Sequence, residues 1–177
     1  LANAVVESGP NQGFIDLKVW RRAADNAPYN ARIMENILSL AWFYTRDRPW
    51  NPYYGDPALK ARLEAALRFW IQSQHPDGRF SEYSEGAWGL SPTGFGVRYM
   101  GETLHLLEHS EASIDPELLK KTWAAQRKAI MAILENPSLL RHGRRFSNQY
   151  GTVWSPAIQY INRFHDAEME KAMKQRL

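Results

Sequence analysis

Two stretches of the sequence carry nearly the same order of chemically capable side chains. The first, RFSEYSEGAWGLSP, spans residues 79–92, and the second, RFSNQYGTVWSP, spans residues 145–156. Each holds an arginine, a tyrosine and a tryptophan, and an acid in the first is replaced by an amide in the second. Arginine binds anions, tyrosines and carboxylates transfer protons, and aromatic rings outside a core stack on flat ligands such as sugar rings. The two loops are therefore candidates for a ligand site.

The candidate side chains fall into two sets, one for each loop. They are Arg79, Glu82, Tyr83, Glu85 and Trp88 in the first, and His142, Arg144, Arg145, Asn148, Tyr150 and Trp154 in the second. A third connection, before Pro28, is a degenerate member of the set with Trp20, Arg21, Arg22, Asp25 and Asn26. Connections of about 15 residues exceed what a helical hairpin needs, and long loops on a rigid scaffold commonly carry function.

Purely structural roles are open for the same residues. Arg79 and Arg145 could hydrogen-bond helix C-termini, and the tyrosines and tryptophans could anchor loops. Phe80 and Phe146 are expected to pack in the interior. The serines of the Ser-Pro pairs are expected to be N-caps; they are Ser91 and Ser155.

Helices must position these loops. An N-cap aspartate followed by proline occurs at Asp56-Pro57 and again at Asp115-Pro116, and apolar residues then recur with helical spacing. The second of these helices is predicted to end before Pro137. Strand-like alternation is hard to find, so the sequence predicts an all-α fold.

Three further helical segments open near prolines at an interval of 64 residues, at Pro28, Pro92 and Pro156. A fixed period of this size indicates helical hairpins stacked as repeats. The predicted hairpin units span about 28–75, 92–136 and 156–177. The first helices of the hairpins mix small or polar residues with aromatic ones, as Gly94, Gly96 and Gly101 with Phe95, which predicts inner helices in close contact. The second helices carry charged faces, which predicts outer helices.

Composition excludes several classes of function. The chain has 177 residues, a formal charge of +3 and no cysteine, so it holds neither disulfides nor thiolate metal sites. Its basic residues are too scattered for a nucleic-acid footprint. No apolar run approaches the roughly 18 residues of a membrane helix. The chain begins with Leu1 and stops within a helical pattern, which favours a processed piece of a longer protein.

The segment QHPDGRF at 74–80 matches the QxxDGxF turn that recurs in (α/α) toroids. Together with the alternating helices, the chain resembles the toroidal carbohydrate-active enzymes. The resemblance implies antiparallel hairpins forming a partial (α/α) toroid of about three hairpins. Residues 1–177 would then be a single domain, the N-terminal part of a larger toroid, that self-associates or requires its C-terminal half. It also implies a secreted or periplasmic protein.

Within that class the second loop is similar to polysaccharide lyases of the heparinase and alginate-lyase type, which implies β-elimination on an anionic, uronate-containing polysaccharide. By that resemblance Asn148, helped by Arg145 or Arg79, neutralises the substrate carboxylate. Tyr150 or Tyr83 acts as base or acid, and His142 or His75 assists. The remaining substrate-binding candidates are Glu82, Trp88 and Trp154.

Two alternatives stay open. A toroidal glycoside hydrolase needs two carboxylates, which Glu82 with Glu85 or Asp77 could supply, although Asn148 replaces the acid in the second loop. A non-catalytic module that binds sugar or protein is the other. His105 and His109 are spaced for a metal, but no third ligand is evident, so we expect no metal and no cofactor.

Overall fold

The computed structural model describes residues 1–17 and 27–176 and is predominantly helical. The α-helices are α1 (Ile37–Thr45), α2 (Pro57–Gln72), α3 (Leu90–Glu108), α4 (Pro116–Glu135), α5 (Pro137–Gly143), α6 (Ser147–Tyr150), α7 (Trp154–Phe164) and α8 (Ala167–Lys174). Short 3-10 helices lie at Ala2–Ala4, Ile33–Asn36 and Gly151–Val153, and two strands, β1 (Phe80–Ser81) and β2 (Trp88–Gly89), pair antiparallel. The predicted all-α fold is confirmed.

The helices form two layers. Helices α1, α3 and α7 lie side by side, and α2, α4 and α8 form a second row behind them. Each helix of the first row packs on the helix that follows it in the second row, so the pairs are α1 with α2, α3 with α4, and α7 with α8. The core lies between the rows, where the fully buried rings of Trp70 and Phe80 stack at 4.8 Å. Whether further helices close these rows into a toroid stays a prediction.

Local signals explain where the second-row helices begin. The side chain of Asp56 accepts a hydrogen bond from the Leu59 backbone amide at 2.7 Å, and proline follows at the first helical position. Asp115 caps α4 in the same way, through the backbone amide of Glu117 at 2.9 Å. Both N-caps agree with the sequence prediction, because a side-chain oxygen satisfies an amide that has no partner inside the helix.

Two of the three first-row helices begin near the predicted prolines, and the third does not. Helix α1 starts at Ile37 rather than near Pro28, while α3 and α7 start two residues before their prolines. A proline at the third helical position lacks only an amide hydrogen that the first turn leaves unbonded, so it does not have to be first. Ser91 and Ser155 are consequently second helical residues, and the expectation that they are N-caps is wrong.

Glycines bring α3 close to its neighbours, as the sequence predicted. A Cβ atom at Gly94 would lie 2.6 Å from the Gln149 carbonyl oxygen, and one at Gly101 would lie 3.0 Å from Pro156 Cβ. The contact at Gly101 also includes a hydrogen bond from Gln159 Nε2 to its carbonyl oxygen at 3.1 Å. Side chains at these two positions would push α6 and α7 away from α3.

The two similar sequence stretches adopt different structures. The first forms the β1–β2 hairpin, whereas the second is helical through α6 and the 3-10 helix that follows it. Phe80 is fully buried, but Phe146 is 44% exposed and stacks on His142 at 4.6 Å, so the packing expected for Phe146 is wrong. The second connection is not an unstructured loop, because Pro137 ends α4 and also starts α5, with Asn136 as its N-cap.

Candidate functional site

Both connections lie at the end of the molecule where α3 begins. The first leads directly into α3, and the second contacts α3 through the backbone of Gln149 beside Gly94. The segment before α1 joins them, because the Ala31 amide donates to the Ser81 carbonyl oxygen at 2.9 Å. The third candidate connection, Trp20, Arg21, Arg22, Asp25 and Asn26, lies outside the described residues. We call the end formed by residues 27–32, 79–89 and 145–153 the loop end.

A buried charged cluster joins two segments of the loop end, 27–32 and 79–89. Arg32 forms an ion pair with Glu35, and its Nη1 atom lies 3.8 Å from Oε1 of Glu82. The Glu82 side chain is only 1% exposed, so this predicted substrate-binding residue is enclosed in the protein. Arg32 Nη1 also donates to Ser91 Oγ at 2.9 Å, and its guanidinium lies 4.2 Å from the centre of the Phe95 ring. The arrangement fixes the first loop and the segment before α1 relative to α3.

Arg79 belongs to a second charged group, at the Asp-Gly-Arg turn of residues 77–79. Its Nη2 atom lies 2.8 Å from Oδ2 of Asp77, and His75 Nδ1 lies 2.7 Å from Oδ1 of the same carboxylate. Burial raises the pKa of Asp77, but the hydrogen bonds from Arg79 and His75 outweigh it and lower the pKa to about 2. The His75 ring contacts Trp88 at 4.8 Å, so Trp88 is half-buried against the turn.

The remaining polar side chains of the first loop face solvent. Tyr83 is 69% exposed, and Glu85 is also exposed. Both lie between the paired ends of β1 and β2, in the turn that the two strands support. A ligand could reach either side chain without displacing protein atoms, whereas Glu82 in the same loop is enclosed.

The second loop also presents solvent-exposed polar groups. His142 lies in α5, Arg145 lies between α5 and α6, and Asn148 lies in α6; all three are exposed. Asn148 is three residues from Gly151, which lines an open cleft. Asn148 itself does not line that cleft, and neither do His142 and Arg145.

Tyr150 differs from the other candidates. Its ring contacts Trp154 edge-on at 5.7 Å, and a Cβ atom added at Gly143 would lie 2.7 Å from that ring. Its hydroxyl oxygen is buried and has no hydrogen-bond partner within the described part of the chain. Burial raises the pKa of Tyr150, against a smaller opposing effect of Arg176, so the phenol is protonated at neutral pH. A proton carrier enclosed in this way does not contact the cleft.

The open cleft, about 710 Å³ in volume, lies between the first-row helices α1, α3 and α7. Its polar lining includes three basic side chains and one acidic side chain, and Trp42 supplies an aromatic surface. The lining residues used below are Trp42, Arg46, Arg98, Glu102, His105 and Gln159. The volume suits a small ligand or a short stretch of a polymer.

The basic groups of the cleft are available to a ligand. Arg46 is exposed and its guanidinium makes no ion pair with any residue in the ranges 1–17 and 27–176. Arg98 lies 3.7 Å from Glu102, and both side chains are more than half exposed. An exposed pair at this distance is weak and can exchange its partner for a ligand carboxylate.

Sequence reasoning missed the cleft, although part of its signal was present. The polar lining of α3 recurs at Arg98, Glu102 and His105, which is the spacing of one helical face. Trp42 lies on α1, and Arg46 directly follows that helix four residues later. This spacing shows which residues share one face of a helix, but only the packing of α1, α3 and α7 shows that the faces of the three helices converge on one cleft.

Comparisons with protein-family models, with curated proteins and with solved structures found no match to this chain. The fold and the site describe an all-α chain of paired helices with a cleft between the first-row helices, lined by basic residues and a tryptophan. No helix within the described ranges is long and apolar enough to cross a membrane. Those ranges also contain no group of three side chains placed to hold a metal ion.

Proposed function

We propose that this chain binds an anionic, uronate-containing polysaccharide in the cleft and cleaves it by β-elimination. The observation that carries the proposal is the composition of the cleft, in which Arg46, Arg98 and His105 outnumber the single acid Glu102 beside the ring of Trp42. Arginine pairs with carboxylates through two parallel hydrogen bonds, and an aromatic face packs against a sugar ring. A polymer that repeats both features fits this surface.

Neutral groups in the cleft suit the hydroxyl groups of a sugar. Gln159 is half-buried, and its amide nitrogen is held by the Gly101 carbonyl oxygen at 3.1 Å. The side-chain oxygen of Gln159 is thereby oriented as an acceptor. Ser155, exposed on the same wall, is both donor and acceptor. A few oriented polar groups among apolar ones are typical of a small-molecule site.

Elimination requires three tasks at the sugar next to the scissile bond. A donor must stabilise the substrate carboxylate as its neighbouring carbon loses a proton, a base must accept that proton, and an acid must protonate the leaving oxygen. Asn148 and Arg145 suit the first task because both are exposed at the loop end. The exposed side chains of Tyr83 and His142 suit the two proton transfers.

Hydrolysis by a carboxylate pair is less well supported. Glu82 is nearly inaccessible and lies beside the Arg32 guanidinium, so its carboxylate is not placed to contact a substrate. A general acid must instead reach the glycosidic oxygen in its protonated form. Glu85 is exposed but has no second accessible carboxylate in its loop. These contacts favour elimination over hydrolysis on this scaffold.

The test incubates the protein with a panel of uronate polysaccharides and follows the ultraviolet absorbance of the unsaturated product alongside the release of reducing ends. We expect absorbance to rise, and to fall to background in Asn148→Ala with binding retained. The double variant Arg46→Ala, Arg98→Ala should lose binding, whereas the exposed Arg141→Ala on α5 serves as a matched control. Reducing ends without absorbance would indicate a hydrolase, and binding without turnover would indicate a non-catalytic module.

A further inference from the structure

An exposed tryptophan lies just beyond the cleft. Trp50 is 61% exposed, and its ring stacks on Trp42 with 5.6 Å between ring centres and 23° between planes. Trp42 lines the cleft, so the cleft and the Trp50 ring share one aromatic wall. Burial of so large an apolar ring is the normal outcome of folding, which makes this exposure informative.

The backbone around Trp50 is held in place by its neighbour Asn51. The buried Asn51 side chain donates through Nδ2 to the carbonyl oxygens of Phe43 and Arg46, at 2.8 and 2.7 Å, and so satisfies the C-terminal end of α1. Its Oδ1 atom accepts from the Tyr53 amide at 3.2 Å. These bonds fix the segment before any ligand arrives, which lowers the entropic cost of binding.

We propose that Trp50 is a sugar-stacking platform that extends the cleft past the C-terminal end of α1, so that the protein binds a stretch of polymer rather than one terminal sugar. The inference rests on the proposed function. One face of the Trp50 ring is supported by Trp42, and the high exposure of the side chain leaves area for a sugar ring. Arg46 lines the cleft four residues before Trp50 in the chain and supplies a charge for the carboxylate of a uronate unit.

A polymer fits this surface better than a protein partner does. Phe43 and Tyr53 are also exposed beside Trp50, at 39% and 52%, but their rings meet edge-on at 89°. That pair forms no stacked surface, whereas the Trp42 and Trp50 rings are stacked with 23° between their planes. The platform continues a cleft with charged groups, whereas the centre of a protein interface is depleted of charge.

The experiment measures affinity for a ladder of oligogalacturonates, from the dimer upward, by calorimetric titration. We expect Trp50→Ala to weaken binding of the longer oligomers about tenfold, as the loss of one aromatic stacking contact implies, while affinity for the dimer is unchanged. Trp50→Phe should retain most of the affinity because it keeps a ring face. Phe164→Ala, which removes a 40% exposed ring at the end of α7 that does not line the cleft, is the control and should not show this length dependence.

The outcomes separate the platform from the proposed function. Equal affinity of wild type and Trp50→Ala for every length, together with weakened binding in the Arg46→Ala, Arg98→Ala variant, would overturn the platform and leave the proposed function standing. Absence of binding in the wild type at every length would overturn both. A change in sedimentation without a change in oligomer affinity would assign the ring to a protein contact and would also overturn the platform.

Discussion

Arg32 Nη1 donates a 2.9 Å hydrogen bond to the hydroxyl oxygen of Ser91, and this bond joins the segment before α1 to the first turn of α3. The two residues are 59 positions apart in the chain. The same guanidinium pairs with Glu35 and lies 3.8 Å from Glu82. One side chain therefore connects the segment before α1, the first loop and the first turn of α3.

Replacement of Arg32 by alanine should destabilise the protein by about 3 kcal/mol, because it removes a positive charge beside two buried carboxylates. Arg32→Lys should recover only part of the loss, since lysine lacks the planar fork that reaches both a carboxylate and the Ser91 hydroxyl. Urea unfolding measures both effects, with the exposed Arg98→Ala as control. An unchanged unfolding midpoint in Arg32→Ala would contradict the role of this cluster.

The contrast between α4 and the Arg32 cluster shows what sequence could provide. The N-cap at Asp115 and the end of α4 before Pro137 depend on neighbouring residues, so local patterns predict them. The contact of Arg32 with Ser91 depends on how α1 packs against α3, and no local pattern contains it. The cleft was missed for the same reason, because helical spacing identifies a face but not its exposure.

The two repeated loops show that a local sequence pattern can also predict a structure that does not form. The similarity of the two sequences predicts similar structures. Phe80, however, is buried against Trp70, whereas Phe146 is exposed and stacks on His142. The first loop follows the turn at residues 77–79. The second loop follows α5, which begins at Pro137, where the sequence predicts only the end of α4. Identical short motifs therefore fold according to the segments that precede them.

Gly78 is expected to be intolerant of any side chain. Its φ angle is +98°, and a Cβ atom would lie 2.3 Å from the carbonyl oxygen of Lys128 in α4. Gly78→Ala should therefore cost more than about 3 kcal/mol, which combines left-handed backbone strain with displacement of a helix. Gly55→Ala is the matched control, because its φ is +64° with open space around it. Thermal unfolding of the two variants separates the backbone strain from the steric contact. Equal losses of stability in both variants would show that the contact with Lys128 is unimportant.

Acid should remove a small stabilising contribution from Asp77. Because hydrogen bonds from Arg79 and His75 lower its pKa to about 2 in the folded protein, the contribution is present above the unfolded pKa of about 3.9 and disappears as pH falls toward 2. The carboxylate is partly exposed, so screening limits the effect to about 1 kcal/mol or less. The stability difference between wild type and Asp77→Asn, measured by urea unfolding, should shrink over this range. A difference that is constant with pH would exclude the ion pair as its source.

Tyr150→Phe separates structure from catalysis at the second loop. The Tyr150 hydroxyl is buried without a partner in the described ranges, so its removal should leave stability unchanged or raise it by about 1 kcal/mol. Because the same enclosure keeps the hydroxyl from the cleft, Tyr150→Phe should also retain activity on any substrate that the protein cleaves. Tyr83→Phe, at a 69% exposed position, should instead lose turnover without losing stability. If Tyr150→Phe were fully stable and inactive, the hydroxyl would have to reach substrate, and the packing of the Tyr150 ring against Gly143 and Trp154 would then have to open during catalysis.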